Sequence, residues 1–147
     1  MSKYAISAES LKHFINNEGK KLNGAPFTIR SKKSGKDYTF KVSQVPFKNS
    51  NYIHIKVETE YLNFKYMGWF KDGKIVKKNK DTNTNEVVNT PAGEAVSWFL
   101  RQMFSNNFNN LNQSVDIFHL GKCLKCGKTL TDSNSIEVGF GPVCRNF

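Results

Sequence analysis

All three cysteines of this 147-residue chain lie in its last stretch, residues 119–147. Cys123 and Cys126 are separated by two residues and followed by Gly127, so both thiolates can reach one ion while the glycine permits the tight turn behind them. Cys144 follows after a further 17 residues, close to the linker length of zinc ribbons and treble-clef-like modules. Three cysteines cannot all pair with one another, so metal binding is a better interpretation than a disulfide framework.

A structural zinc ion needs a fourth ligand, and His119 is the candidate for it. This histidine lies four residues before Cys123, and a turn between the two would bring its imidazole to the metal. Asp132 and Asp116 are weaker alternatives. The complete set is predicted to be His119, Cys123, Cys126 and Cys144. Four protein ligands close the tetrahedral sphere and leave no position for a catalytic water, so we expect a structural Zn²⁺ as the cofactor.

Signatures of catalysis are missing from the sequence. The His-x-Glu pair of the zinc deaminases, the Gly-x-Ser-x-Gly elbow and the phosphate-cradling glycine loop are all absent. Glu58 and Glu60 would share one face of a strand, but a solvated edge is a better interpretation than a metal-dependent nuclease pair. His13 and His54 each stand alone on a helical or strand pattern, which is typical of structural or surface histidines. We predict that the protein is not an enzyme.

The formal net charge of +10 attracts phosphate backbones or acidic protein surfaces, and by itself does not distinguish them. Tyr66 and Trp69 could stack bases if they are exposed. The alternative is that the lysines are solvated turn residues and the aromatic side chains belong to the core. The basic residues predicted to contact nucleic acid or a partner surround the first hairpin and the cysteine knuckle: Arg30, Lys32, Lys33, Lys36, Lys122, Lys125 and Lys128.

The length fits one ordinary core with a small appendage. No stretch approaches the roughly 18 apolar residues of a membrane span, and no apolar run follows the start of the chain. Free thiols indicate a reducing compartment. We therefore expect a cytoplasmic protein that does not enter a membrane, and a monomer.

Alternating apolar residues predict an antiparallel sheet in the first half of the chain. Asp72-Gly73 is expected to turn the chain into the last of these strands. A short helix over residues 8–17 precedes them, with Leu11, Phe14 and Ile15 on its apolar stripe. The five predicted strands are 27–30, 38–42, 52–57, 61–70 and 74–76, with a turn at 34–36 in the first hairpin.

A longer helix is predicted to start at Thr90-Pro91 and to cover the sheet. Residues 79–89 are interpreted as a surface loop, and residues 106–113 as an Asn-rich connector before a short strand at 115–118. The fold class is therefore α+β: about five antiparallel strands packed by one long and one short helix. We predict two units, an α+β domain over 1–113 and a zinc-ribbon-like or treble-clef-like module over 114–147 packed on it.

The run "HLGKCLKCGKTLTDSNSIEVGFGPVC" also resembles the short C-terminal module of many phage and prophage proteins of unassigned function. It follows that module's pattern except at Phe140, where an aliphatic residue is usual, and at Lys128, where arginine is usual. The preceding "FTIRSKKSGKDYTFKV" and "YLNFKYMGWF" are similar to the β-rich region that often accompanies the module. The resemblance covers residues 27–75 and 119–144.

This resemblance implies a metal-binding phage protein whose zinc ligands fall on His119, Cys123, Cys126 and Cys144. Small phage proteins with a zinc tail and no catalytic signature resemble in kind the inhibitors of host defence complexes. We therefore expect an anti-CRISPR type protein that binds a host nucleoprotein, with the type II CRISPR nuclease Cas9 as its target, in the cytoplasm of the infected bacterium. The alternatives are a basic nucleic-acid-binding accessory protein and a structural phage component.

Overall fold

The described part of the chain folds around one antiparallel sheet of eight strands. The computed structural model describes residues 3–13, 22–47, 50–61 and 63–145. The spatial order of the strands is β1-β8-β2-β3-β4-β5-β6-β7. Their bounds are β1 Tyr4–Ile6, β2 Leu22–Ser31, β3 Asp37–Phe47, β4 Ser50–Glu60, β5 Asn63–Lys71, β6 Lys74–Asn79, β7 Thr84–Val87 and β8 Val115–His119. The predicted α+β class is confirmed, and strands β2 to β6 correspond to the five that the sequence predicted.

The predicted number of about five strands is wrong, because the sheet also contains β1 and β7, which the sequence does not predict, and β8, which confirms the short strand predicted at 115–118. Strand β7 lies inside the predicted loop 79–89 and pairs with β6. All four of its residues are exposed, so its sequence lacks the alternation of buried and exposed residues by which a strand is predicted. Strand β8 lies between β1 and β2, antiparallel to both. The boundary predicted between residues 113 and 114 stays a prediction, although β8 connects the C-terminal residues directly to the sheet.

The described helical segments are a 3₁₀ helix at Ala8–His13 and three α-helices, α1 Pro91–Phe104, α2 Phe108–Ser114 and α3 Ser133–Val138. The short helix predicted over 8–17 is thus 3₁₀ as far as residue 13, and Phe14 and Ile15 lie outside the described residues. Helix α2 occupies the predicted Asn-rich connector, since the buried Leu111 anchors a segment of low helix propensity. None of these described helices is long and apolar enough to cross a membrane.

Helix α1 covers one face of the sheet. Thr90 caps its first turn by accepting a hydrogen bond from the N–H of Gly93 at 3.1 Å, and Pro91 occupies the first helical position, as the sequence predicted. The ring of Phe99 packs 5.4 Å from that of Phe27. Ser97 accepts from the N–H of Ile75 at 3.2 Å, which fixes the helix against β6. The long predicted helix is therefore confirmed.

A single hydrophobic cluster forms the core, and every described helix contributes to it. Along the central strands its members alternate with residues of the opposite face. The buried side chains from the sheet include Phe27, Ile29, Phe40, Val42, Ile55, Met67 and Ile75. The buried apolar residues of the 3₁₀ helix, α1 and α2 join this cluster, and Ile136 and Val138 of α3 pack against it, so no helix among the described residues packs on the opposite face.

A bulge in β5 sets which side chains reach that opposite face. Ile55 pairs with Gly68 and Lys56 pairs with Tyr66, so the intervening Met67 is extra. Gly68 has a φ of 148°, and a Cβ there would overlap the carbonyl oxygen of Val76 on β6. The bulge therefore requires glycine for two reasons, its backbone conformation and the close approach of a neighbouring strand.

We expect Gly68→Ala to lower the free energy of unfolding by about 3 kcal/mol, because strain and a backbone overlap act together. Gly35→Ala is the matched control, since Gly35 has a φ of 73° and no atom within 4 Å of the new Cβ. That variant should lose only about 1 kcal/mol, the cost of the left-handed conformation alone. Urea unfolding measures both, and equal losses would contradict the role given to the bulge.

Candidate functional site

The three cysteine thiols form one cluster. The Sγ atoms of Cys123, Cys126 and Cys144 all lie within 4.8 Å of one another. No disulfide involves any of the three, and Cys123 and Cys144 are buried while Cys126 is half-buried. Tetrahedral zinc with bonds of about 2.3 Å would place its sulfur ligands roughly 3.8 Å apart. The cluster therefore has the donor chemistry and the spacing of a possible metal site.

The first two thiols are positioned by a tight knuckle. The N–H of Gly127 donates to the carbonyl of Cys123 at 2.9 Å, and Gly127 adopts a φ of 81°. The N–H of Cys123 in turn donates to the carbonyl of Lys128 at 2.8 Å. These bonds fold the Cys-x2-Cys segment back on itself. The predicted use of the glycine at this turn is confirmed.

The third thiol is carried by a loop that follows α3. Gly139 ends this helix with a φ of 81°, and its carbonyl accepts from the N–H of Leu124 at 3.0 Å, which ties the loop to the knuckle. Arg145 donates to the carbonyl of Phe140 at 3.0 Å and to the hydroxyl of Ser135 at 2.6 Å. The sequence does not predict this role of Arg145, because nothing local to an arginine at this position signals these contacts.

The electrostatics of the cluster favour a bound cation. Burial would raise the pKa of Cys123, but N–H groups of Cys126, Gly141 and Lys125 that point at its Sγ hold the pKa below its ordinary value. Burial raises the pKa of Cys144 to about 12, and the neighbouring thiols Cys123 and Cys126 add to the rise. A metal ion supplies the positive charge that lets all three thiols ionise together.

His119 is buried but lies outside the thiol cluster. Its Nε2 donates to the carbonyl of Ile136 at 2.6 Å, and its Nδ1 accepts from the N–H of Gly121 at 3.0 Å. The ring of Tyr4 stacks on the imidazole at 5.1 Å between centroids. Burial lowers the pKa of His119, in keeping with the neutral ring that this bonding requires. The structure thus does not bring His119 together with the cysteines. The sequence could not predict this, because the spacing of residues in the chain carries no information on the direction of the ring.

The two aspartates considered as alternative ligands are also engaged elsewhere. Asp132 caps α3 by accepting from the N–H of Ser135 at 3.0 Å, although it does line a cavity of about 340 Å³ beside the three thiols. Asp116 lies on β8, 3.9 Å from the Nζ of Lys32. Among the described residues, the cavity is therefore the direction from which a fourth ligand can approach the cluster.

The basic residues predicted as contacts do not form one patch. Lys125 is buried, with its Nζ 3.4 Å from the carbonyl of His13, and it is therefore part of the packing. Arg30 contacts Asp37 at 3.3 Å and lies over the ring of Phe118. Lys122 and Lys128 are exposed beside the knuckle. The remaining three, Lys32, Lys33 and Lys36, line one cleft at the tip of the first hairpin.

The sheet face opposite the helices carries a second set of cationic and aromatic side chains, which we call the outer face. On it Lys41 pairs directly with Lys56, and Lys56 pairs with Tyr66. The Nζ of Lys41 lies 4.3 Å from the ring centroid of Phe64. His54 pairs with Trp69 and contacts the hydroxyl of Tyr66 through Nδ1 at 2.9 Å. The cationic and aromatic members of the outer face are Lys41, His54, Lys56, Phe64, Tyr66 and Trp69, and Glu58, which pairs with Phe64, lies on the same face.

Sequence reasoning identified Tyr66 and Trp69 but missed Lys41 and Lys56. The two lysines lie in different predicted strands, and only the register of β3 against β4 brings them side by side. The alternation of each strand could have placed them on the polar face, but it could not pair them. Tyr66 is 41% exposed, so its ring does not belong to the core.

Comparison with known proteins adds one finding. The model of a protein family described as a family of unknown function, DUF6011, matches residues 116–146. The match covers all of β8 but its first residue, the knuckle, α3 and the loop that carries Cys144. No curated protein and no solved structure matches the chain.

We expect Cys144→Ser to lower the affinity for metal by more than about 100-fold, because it removes one of three clustered thiolates. Competition with a chelator, read by metal content per chain, measures the loss. Val143→Ala is the control, since Val143 is 75% exposed and adjacent in sequence. The far-ultraviolet dichroism of the sheet should persist, because β8 ends before the knuckle. Unchanged metal content would refute the role of Cys144.

His119→Phe should destabilise the fold by about 2 kcal/mol, because it leaves two partly buried backbone groups, the carbonyl of Ile136 and the N–H of Gly121, without their partner. The visible spectrum of the cobalt-loaded protein should keep its band positions if the imidazole acts through hydrogen bonds alone. A shift of the ligand-field bands in this variant would instead make His119 a metal ligand.

Proposed function

We propose that the protein is a non-enzymatic module that binds single-stranded nucleic acid on its outer face and is stapled at its C-terminal end by a structural zinc ion. The observation that carries the binding proposal is the direct pairing of Lys41 with Lys56 beside the exposed ring of Tyr66 and the half-buried rings of Phe64 and Trp69.

The pairing of two lysines is unfavourable for the protein alone. Like charges directly opposite on adjacent strands destabilise a sheet. Lys41 and Lys56 take no part in the ion pairs Lys3–Asp37, Arg30–Asp37, Lys32–Asp116 and Arg145–Asp132, and the carboxylate of Glu58 on the same face can balance only one of their two charges. A phosphate backbone would neutralise both charges and release counterions.

The aromatic side chains indicate a single strand as the ligand. Phe64 and Trp69 are half-buried and Tyr66 is exposed, so each offers part of a ring to solvent. Unstacked bases of single-stranded nucleic acid stack on such rings on a sheet surface, whereas the bases of a duplex are not accessible to them. Lysines beside the rings then contact the phosphates between the stacked bases.

Zinc is the metal that the donors favour. Thiolates are soft ligands, and free cysteines in a reducing compartment commonly hold zinc. We assign it a structural role, because it would join the knuckle to the loop after α3. For His119 to complete the sphere as predicted, its ring must release its bond to Ile136 or to Gly121. Otherwise the fourth ligand enters from the cavity beside Asp132.

The prediction of an anti-CRISPR inhibitor of a host nucleoprotein such as Cas9 stays a prediction. The same holds for its phage origin, its cytoplasmic location and its monomeric state. No contact among the described residues favours any of them over a nucleic-acid-binding accessory protein.

A salt titration with two variants tests the proposal. We expect a labelled single-stranded oligonucleotide of 12 bases to bind, as read by fluorescence anisotropy. Lys41→Ala/Lys56→Ala should weaken binding at least tenfold and reduce the slope of log affinity against log salt by about 1.4, since each phosphate that a lysine no longer neutralises lowers it by roughly 0.7. Tyr66→Ala should weaken binding by about 1–3 kcal/mol without changing the slope, because stacking carries no charge.

Lys77→Ala/Lys80→Ala is the matched control, since it removes the same charge from exposed positions away from the outer face. If both double variants weaken oligonucleotide binding equally, the effect is due to net charge alone and the outer face is not the binding site. Preference for a duplex over the single strand would overturn the assignment of the ligand.

A further inference from the structure

A cleft of about 630 Å³ lies between the tip of the β2–β3 hairpin and helix α1. Its lining from the sheet includes Ile29 and Tyr38, which pair across β2 and β3 on the face that α1 covers. The cleft is therefore on the opposite side of the sheet from the outer face. Its volume lies within the range of small-molecule sites.

The floor and walls of the cleft are apolar and aromatic. Ile29 is buried beneath it, and Ala95 and Val115 contribute further apolar surface. Trp98 and Tyr38 line it with half-buried rings. These groups favour a flat, partly apolar moiety that can stack.

The rim of the cleft is cationic. Lys33 and Lys36 are exposed at the hairpin tip, and the Nζ of Lys36 lies 5.5 Å from the ring centroid of Tyr38. Lys32 also lines the cleft, and its Nζ is held by Asp116 and by the carbonyl of Asn112. No carboxylate belongs to the lining that the structure describes. The rim is thus suited to an anion.

The hairpin tip that carries these lysines is ordered by its own hydrogen bonds. The N–H of Gly35 donates to the carbonyl of Ser31 at 2.8 Å, and the N–H of Ser31 donates to the carbonyl of Lys36 at 2.9 Å. The N–H of Ser34 donates to the hydroxyl of Ser31 at 3.2 Å. The lysine backbones are therefore held in place beside the aromatic walls, which lowers the cost of ordering them around a ligand.

We propose that this cleft binds a free mononucleotide, with the base against Trp98 and the phosphates between Lys33 and Lys36. A nucleotide joins the two chemistries that the cleft offers at neighbouring positions, a flat base for the rings and a polyanion for the ammonium groups. Gln113 and Ser114 supply polar groups for the base or the sugar. This site is separate from the outer face and takes a different ligand.

Fluorescence of Trp98 provides the test. The chain has two tryptophans, so Trp69→Phe leaves Trp98 as the only one. In this background we expect ATP and AMP to quench the emission, with ATP binding more tightly because it carries more negative charge. Adding Lys33→Ala/Lys36→Ala should weaken ATP binding at least fivefold, while Lys77→Ala/Lys80→Ala should leave it unchanged.

Two ligand controls separate the parts of the nucleotide. Adenosine and inorganic phosphate should each bind at least tenfold more weakly than ATP. Absence of quenching at millimolar ATP, or equal binding by the parent and the Lys33→Ala/Lys36→Ala variant, would overturn the proposal. Binding of phosphate as tight as that of ATP would also overturn it, because the rings would then play no part.

The outer-face variant keeps this test independent of the proposed function. Lys41→Ala/Lys56→Ala should bind ATP like its parent, since its substitutions lie on the other side of the sheet. Failure of the protein without these substitutions to bind the oligonucleotide, with ATP binding intact, would contradict the proposed function alone. Failure of that protein to bind ATP, with oligonucleotide binding intact, would contradict the nucleotide site alone. Dichroism spectra of all variants establish that the fold is retained.

Discussion

Burial of one face of the sheet is the constraint on which the rest of the molecule depends. Helix α1 and the shorter helical segments all place their apolar side chains in one cluster with Phe27, Phe40 and Ile55. A domain of this size has enough apolar side chains for one such core, so the opposite face carries the polar half of each strand. The outer face with its lysines and rings is a consequence of this one-sided burial.

The antiparallel pairing of β8 with both β1 and β2 joins the cysteine cluster to the same core. Cys123, Leu124 and Phe140 are fully or almost fully buried within the cluster that α1 also enters. His119, the last residue of β8, bonds to the carbonyl of Ile136 and so holds α3 against the end of this strand. A metal at the thiols would therefore further stabilise an arrangement that backbone pairing and packing already hold in place.

Groups that carry charge of one sign when ionised meet at each of the three places that we assign to ligands. Three thiols, which bind a metal as thiolates, share one site near the C-terminus, two lysines pair on the outer face, and Lys33 and Lys36 border the cleft. Bringing such charges together costs free energy in the protein alone. A metal ion, a phosphate backbone and a nucleotide are the counter-charges that would remove this cost.

Local sequence determined the knuckle, the start of α1 and the strands β2 to β6, because each depends on spacing, capping or alternation within a few residues. It missed β1 and β7, which are three and four residues long and exist through pairing with distant or exposed neighbours. Tertiary structure alone decided that His119 turns to Ile136, that Lys125 is buried, and that Lys41 meets Lys56. These outcomes depend on register and packing between segments far apart in the chain, and sequence spacing does not encode either.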